Sequence, residues 1–222
     1  MVDDNDLSCG PASGRQTAPK TVHGLTWDYS KIASQYDATR DLPEEKLMAC
    51  YDRLIEQSLF PKSGKILDAG CGTGQASLPL AARGYDIHGI DISQDITARA
   101  QSKVLPTWRA GYSVGDVRSL AADDSSFDAV VVSKLFQHVE DWREACRELI
   151  RVVRPGCYIV QINERGAFGN SVRRYFSRKA DELGFRGRYA GLNPHSGEEL
   201  AAFMRSQGVS RCKSICPTFD GP

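Results

Sequence analysis

The sequence predicts an α/β fold, a mostly parallel sheet of six or seven strands flanked by helices. Three observations carry this. Between residues 43 and 162 short apolar segments alternate with segments of helical period, and that alternation builds βαβ units whose faces are covered. Phe127 to Ser133 is a nearly continuous apolar run, which suits a strand buried on both faces. A glycine-rich turn, Gly70-Cys71-Gly72-Thr73-Gly74, stands directly after the first strand and before a helix. The 222 residues, 41% of them hydrophobic, suffice for one such domain with its own core.

The elements follow in order. Residues 1–25 are rich in Asp, Ser, Gly, Pro and Thr and read as a disordered tail. The globular domain is expected over 26–222. Trp27, Tyr29 and Tyr36 form a short aromatic segment. Leu47, Cys50, Tyr51, Leu54 and Ile55 recur at three and four residues, the stripe of an amphipathic helix. Lys65 to Ala69 is the first strand, and Leu78, Leu80 and Ala81 mark the helix after the glycine turn. Tyr85 to Ile90 is the second strand. Ser93 suits the cap of the next helix, with Asp95 near the positive end of its dipole. A third strand is expected at Arg109 to Val114. The turn Asp123-Asp124-Ser125-Ser126 precedes the fourth, at Phe127 to Ser133. Asp141 and Glu144 open a helix with the buried stripe Trp142, Ala145, Cys146, Leu149, Ile150 and Val153, and Pro155-Gly156 is expected to stop it. Cys157 to Ile162 is the fifth strand.

After Asn163 the rhythm breaks. Residues 164–195 combine seven Lys and Arg with Tyr175, Phe176, Phe185 and Tyr189, and read as an inserted cover over the substrate pocket. Ser196 and Glu199 make a capping box, Leu200, Phe203 and Met204 a stripe, and Gly208 a C-cap. Val209 to Ile215 suits a sixth strand. Too little chain follows for a seventh to return beside it, so the sheet is expected to be incomplete or rearranged at that edge.

Composition narrows the function classes. Lys plus Arg and Asp plus Glu number 28 each, so no general field attracts a polyanion and nucleic acid is a disfavoured partner. No apolar run reaches 18 residues, which argues against a membrane span, and no secretory signal is visible. The seven cysteines form no recognisable framework, so a reducing, cytoplasmic setting is expected. Cys212 and Cys216 lack a second ligand pair and the four histidines are dispersed, so no metal is expected.

The glycine turn narrows them further. Glycines allow positive φ and let a ligand approach the backbone, and open α/β sheets bind ligands at the carboxyl ends of their strands. No Gly-x-x-x-x-Gly-Lys run exists, which disfavours triphosphate hydrolysis. The third glycine falls at Gly74, out of place for the dinucleotide fingerprint, although Gln75-Ala76 leaves that reading open. Asp91, 17 residues beyond Gly74 at the end of the second strand, can accept both ribose hydroxyls of an adenosine ligand. Asp116, in Gly115-Asp116-Val117, can accept from an adenine amino group.

These residues resemble the class I S-adenosylmethionine-dependent methyltransferases, in their small-molecule and quinone-type group. The matching stretches are Ile66 to Gly74, Gly89 to Ser93, Gly115 to Val117, Phe127 to Ser133 and Leu149 to Gly156. The resemblance covers about residues 27 to 163 and is specific for the cofactor rather than the substrate. It implies a Rossmann-like sheet, S-adenosylmethionine as cofactor and methyl transfer to an O, N or C atom of a small, acidic or quinone-like molecule. It further implies that Asp68 supports the glycine turn near the methionine ammonium. Gly70, Cys71, Gly72 and Gly74 would line the methionine and ribose portions. Asp91 would take the ribose, Ile92 the adenine face, Asp116 with Val117 the adenine edge, and Ser133 the methionine part. Tyr29 or Tyr36 would close over the cofactor.

Catalysis needs alignment of nucleophile, methyl and sulfur, and a base only where the nucleophile must lose a proton. His138, after the fourth strand at the rim, is the candidate base, against lining of the substrate pocket or a structural role in that loop. A NAD-dependent oxidoreductase, a cofactor-binding scaffold without catalysis and a tRNA methyltransferase are the alternative readings. The protein is expected to act as a monomer or homodimer.

Overall fold

A computed structural model describes residue 37, residues 43–162 and residues 197–212. The expectations for the 1–25 tail, Tyr29, Tyr36, the 164–195 cover and Ser196 fall outside the described residues.

The described elements are α1 (Glu44–Glu56), β1 (Lys65–Ala69), α2 (Leu78–Ala82), β2 (Asp86–Asp91), α3 (Gln94–Ser102), β3 (Ala110–Val114), β4 (Phe127–Ser133), a 3₁₀ turn (Phe136–His138), α4 (Trp142–Val152), β5 (Val153–Ile162) and α5 (Gly197–Ser206). The five strands form one sheet in the order β3-β2-β1-β4-β5, and every pairing is parallel. The chain runs outward from β1 to β3, then restarts on the other side of β1 with β4. The strand order therefore reverses between β1 and β4, where such sheets open a ligand crevice at their carboxyl ends.

Alternation along the strands assigns the faces. Ile66, Ile87, Ala129 and Val131 pack with Leu47, Met48 and Tyr51 of α1, with Leu80 and Ala81 of α2, and with Ala100 of α3. Leu67, Ala69, Val130 and Val132 pack on the opposite face with Trp142, Ala145, Cys146, Leu149 and Val152 of α4 and Leu200 and Met204 of α5. Trp142 is fully buried and meets Phe203 edge-on, with ring centroids 5.3 Å apart.

Two expectations change. Pro155-Gly156 does not stop α4. That helix ends at Val152, and the pair lies inside β5. Phe127 pairs with Val153 but Ala129 with Tyr158, so the extra residues loop out as a bulge, with Gly156 at φ +82°. The Arg154 guanidinium ties this bulge to Asp128, whose other oxygen accepts from the Lys65 amide at 2.7 Å. Ser93 does occupy the N-cap of α3, but its side chain makes no capping bond, and its own backbone amide donates to Asp91 Oδ1. The described sheet has five strands; of the expected sixth, residues 209–212 carry no strand and 213–215 lie outside the described residues. Asp141 does cap α4, accepting from the Glu144 amide, and Gly208 adopts φ +93° after α5. Glu199 pairs with Arg143 of α4.

Candidate active site

The glycine turn is suspended between the ends of β1 and β2. The amides of Gly70 and Cys71 both donate to the Ile90 carbonyl, at 2.8 and 3.0 Å. Gly70, Gly72 and Gly74 have φ of +69°, +54° and +79°, values that an L side chain rarely adopts. At Gly72 a Cβ would meet nothing within 4 Å, so open space lies along the middle of the turn. At Gly70 a Cβ would strike Leu135, so the segment after β4 packs against the turn.

Asp91 holds this turn in place. Its Oδ2 accepts from the Gly72 amide and its Oδ1 from the Ser93 amide, each at 3.0 Å. Burial raises its carboxyl above the usual range, against the pull of those amides. The Asp91 carbonyl accepts from the Gly115 amide, which joins the end of β3 to the same rim. Ile92, beside Asp91, is 51% exposed.

Asp116 reaches the rim already engaged. Its two oxygens take the Arg118 side chain through Nε at 3.0 and 3.1 Å and Nη2 at 2.7 Å, and Oδ1 also accepts the Arg118 amide. Burial raises its carboxyl, but these bonds outweigh it and hold the group below the usual range. Val117 is buried in the face that α4 covers. Ser133 closes β4, half-buried. Lys134 follows at φ +52°, a left-handed non-glycine residue at the carboxyl rim of the sheet. His138 sits on the 3₁₀ turn, half-buried, with its Nε2 3.1 Å from the Gln137 side-chain amide.

Two groups were not expected from the sequence. Asp37, next to the anticipated Tyr36, lies on the glycine turn. It accepts from Thr73 Oγ1 at 2.5 Å and Gln75 Nε2 at 3.1 Å, and pairs with Lys103 at 2.8 Å and Arg99 at 3.2 Å. Burial works against its charge, but the bonds from Lys103, Thr73 and Arg99 win and bring its carboxyl down to about 2. A depressed native pKa means stability present above the unfolded value and lost as pH falls through the folded one. Urea unfolding therefore shows the gap between the wild type and Asp37→Asn shrinking from pH 5 to pH 2, and an unchanged gap counts against this network. The second group is Tyr112 on β3. Its hydroxyl lies 2.8 Å from Ser77 Oγ, and Ser77 donates to Asp68 Oδ2 at 2.5 Å.

The structure thus brings Asp68, Gly70, Cys71, Gly72, Gly74, Asp91, Ile92, Asp116, Val117 and Ser133 to the carboxyl ends of β1–β4 or the turns directly after them. Among the described residues no group of His, Cys, Asp and Glu could hold a metal ion, and no helix is long and apolar enough to cross a membrane.

A parallel sheet with this strand order, an open glycine turn and an acid closing the second strand belongs to the doubly wound α/β class, whose members bind ligands at this switch point. Residues 67–161 match the family model described as a methyltransferase domain. Over 164 residues the chain is 31% identical to the demethylmenaquinone methyltransferase of Thermus thermophilus, covering 70% of this chain and 74% of that one. The demethylmenaquinone methyltransferase of Clavibacter sepedonicus is 31% identical over 133 residues, 60% of this chain and 54% of that one. The chain spans about half the length of two of the curated relatives it matches. Among solved structures, an S-adenosylmethionine-dependent methyltransferase of Methanosarcina mazei aligns with a TM-score of 0.53 at 26% identity, covering 68% of this chain and 82% of that one. The chain belongs to the S-adenosylmethionine-dependent methyltransferase family.

The residues fit that cofactor on grounds of their own. Gly72 leaves an unfilled space beside the turn, and among the described residues the Oδ1 of the fully buried Asp68 has no hydrogen-bond partner, so positive charge close by would stabilise it.

Proposed function

We propose that the chain binds S-adenosylmethionine at the carboxyl ends of β1, β2 and β3 and transfers its methyl group to an O, N or C atom of a small molecule. The observation that carries this is the open turn at Gly72 facing the Asp91 carboxylate. In this reading Asp91 takes the ribose hydroxyls, because a carboxylate held by two backbone amides keeps lone pairs for two more donors. Ile92 supplies an apolar face for the adenine. Asp116, oriented by Arg118, and Val117 form the adenine edge of the site. Gly70, Cys71, Gly72 and Gly74 line the methionine and ribose portions, Asp68 supplies negative charge behind them, and Ser133 borders the methionine end.

The bound cofactor supplies an activated methyl group on a sulfonium. The chain's own work is then to orient the acceptor in line and exclude water. His138 stands on the segment after β4 and serves as base for an acceptor that must lose a proton, through Nε2, the nitrogen to which the Gln137 amide donates and which it must release for that step. The names of the relatives make quinone-type molecules the first acceptor class to test.

Calorimetric titration tests the cofactor. Saturable binding of S-adenosylmethionine and S-adenosylhomocysteine is expected, with no heat from NAD. The reverse order of affinities rejects the reading. Transfer of labelled methyl to hydroquinones, phenols, acidic metabolites or tRNA then separates an enzyme from a binding scaffold.

A further inference from the structure

Asp68 belongs to the face of β1 covered by α1–α3. It is fully buried, with 0% of its surface exposed. Oδ2 receives the Ser77 hydroxyl, Ser77 in turn lies within hydrogen-bond distance of Tyr112, and Oδ1 has no partner among the described residues. Ser77 gives its one proton to Asp68, so Tyr112 donates to Ser77 and the chain of bonds runs Tyr112 to Ser77 to Asp68. A buried carboxylate ordinarily gathers two or three donors or a cation. Among the described residues this one has a single hydroxyl.

The groups facing it are of the wrong kind to hold a negative charge. Tyr51 approaches from α1, Cys71 and Ser77 from the glycine turn, Asp91 from β2 and Tyr112 from β3. β4 contributes Val131 alongside. Not one of these is a cation, and Asp91 is a second acid. Burial pushes the Asp68 carboxyl up, to about 7, against the Ser77 bond and with the Asp91 charge adding to it.

We propose that Asp68 couples cofactor binding to proton release. The free chain carries it as a neutral acid, the chain loaded with a cationic ligand carries it as a carboxylate, and Ser77 and Tyr112 act as positioning residues that set where the exchange occurs. The inference rests on the proposed cofactor, whose methionine part carries an ammonium and, before transfer, a sulfonium. As that charge arrives, the carboxylic O–H bond breaks heterolytically. Its electron pair stays on Asp68 and its proton leaves to the buffer.

The sign follows from linkage. Below the midpoint of the free chain, ligand must displace a proton, so affinity rises about tenfold per pH unit. Above it the affinity is level. Ser77→Ala removes the Ser77 bond, which favours the carboxylate, and so moves the midpoint to higher pH. Tyr112→Phe keeps the ring and loosens the Ser77 hydroxyl, for a smaller move the same way. Asp68→Asn keeps the shape and removes the exchange.

The experiment is calorimetric titration of S-adenosylhomocysteine into the full chain at pH 6, 7 and 8, in buffers of different ionisation heat. The difference between wild type and Asp68→Asn cancels titration of the ligand's own amine. The expected result is about one proton more released by the wild type at pH 6, declining toward zero by pH 8, with the decline shifted upward in Ser77→Ala. Equal release in wild type and Asp68→Asn overturns the proposal and assigns any release to another group such as Asp91. An unshifted profile in Ser77→Ala overturns the positioning role. Binding without the extra proton leaves the cofactor reading intact, whereas no binding at all removes both.

Discussion

Alanine at position 91 weakens S-adenosylhomocysteine binding by about a hundredfold. The expectation builds on what Asp91 holds. Its carboxylate fixes the Gly72 and Ser93 amides at 3.0 Å, so the turn and the start of α3 depend on it before any ligand arrives. In the proposed complex it also accepts two ribose hydroxyls. Hydrogen bonds to a charged group are worth roughly 1.5–3 kcal/mol each, so two of them account for the factor at about 1.4 kcal/mol per decade. Asparagine keeps one accepting oxygen and is expected to fall between. Folding suffers less, since water can replace the lost acceptor at a partly buried rim. Calorimetry of both variants with S-adenosylhomocysteine decides the matter. Unchanged affinity in Asp91→Ala sinks the ribose assignment.

Gly89→Val destabilises the fold by about 3 kcal/mol or more, the upper end of the cost of overpacking a core. Gly89 and Tyr112 are register partners on β2 and β3, and both side-chain positions fall on the same face. A Cβ at 89 would lie 2.1 Å from Tyr112 Cδ1, 2.4 Å from Cε1 and 3.2 Å from Cys71 Cβ. The ring cannot swing clear without giving up the bond of its hydroxyl to Ser77. A Cβ on Gly74 would also lie 3.1 Å from that hydroxyl, so the tyrosine passes over one glycine and ends under another. Urea unfolding of Gly89→Val, Tyr112→Ala and the double variant measures the coupling. A double variant more stable than the sum of the two losses is expected. Strict additivity means the close approach is not what makes glycine necessary.

Much of this fold was legible from residue order because its signals are local. Each strand from β1 to β4 lies within about a residue of the predicted run, since alternation and apolar continuity are read over five to seven neighbours. The Pro155-Gly156 pair misled for a physical reason. The same two residues that end a helix also make a bulge, and only pairing with β4 distinguishes the outcomes. The glycine turn and the acids after β2 and β3 were legible because sequence carries their order and spacing. Asp37 was not, for it meets Thr73 across 36 residues. Tyr112 was hidden in an ordinary strand, and its importance appears only when register sets it against Gly89. Arg118 could have been suspected, standing two residues past Asp116, where a turn folds an arginine back onto an acid.

The ion pair of Arg154 with Asp128, and the bond of Asp128 to the Lys65 amide, close the amino end of the sheet. Gly64 completes that closure, because a Cβ there would enter the Asp128 carboxylate. The two ends of one sheet are therefore under unequal demands. Substitutions at the amino end must satisfy a fixed lattice of bonds, while the carboxyl end can exchange loops without disturbing it. In the proposed function, a change of acceptor is therefore to be sought at the carboxyl rim, where it leaves this lattice untouched.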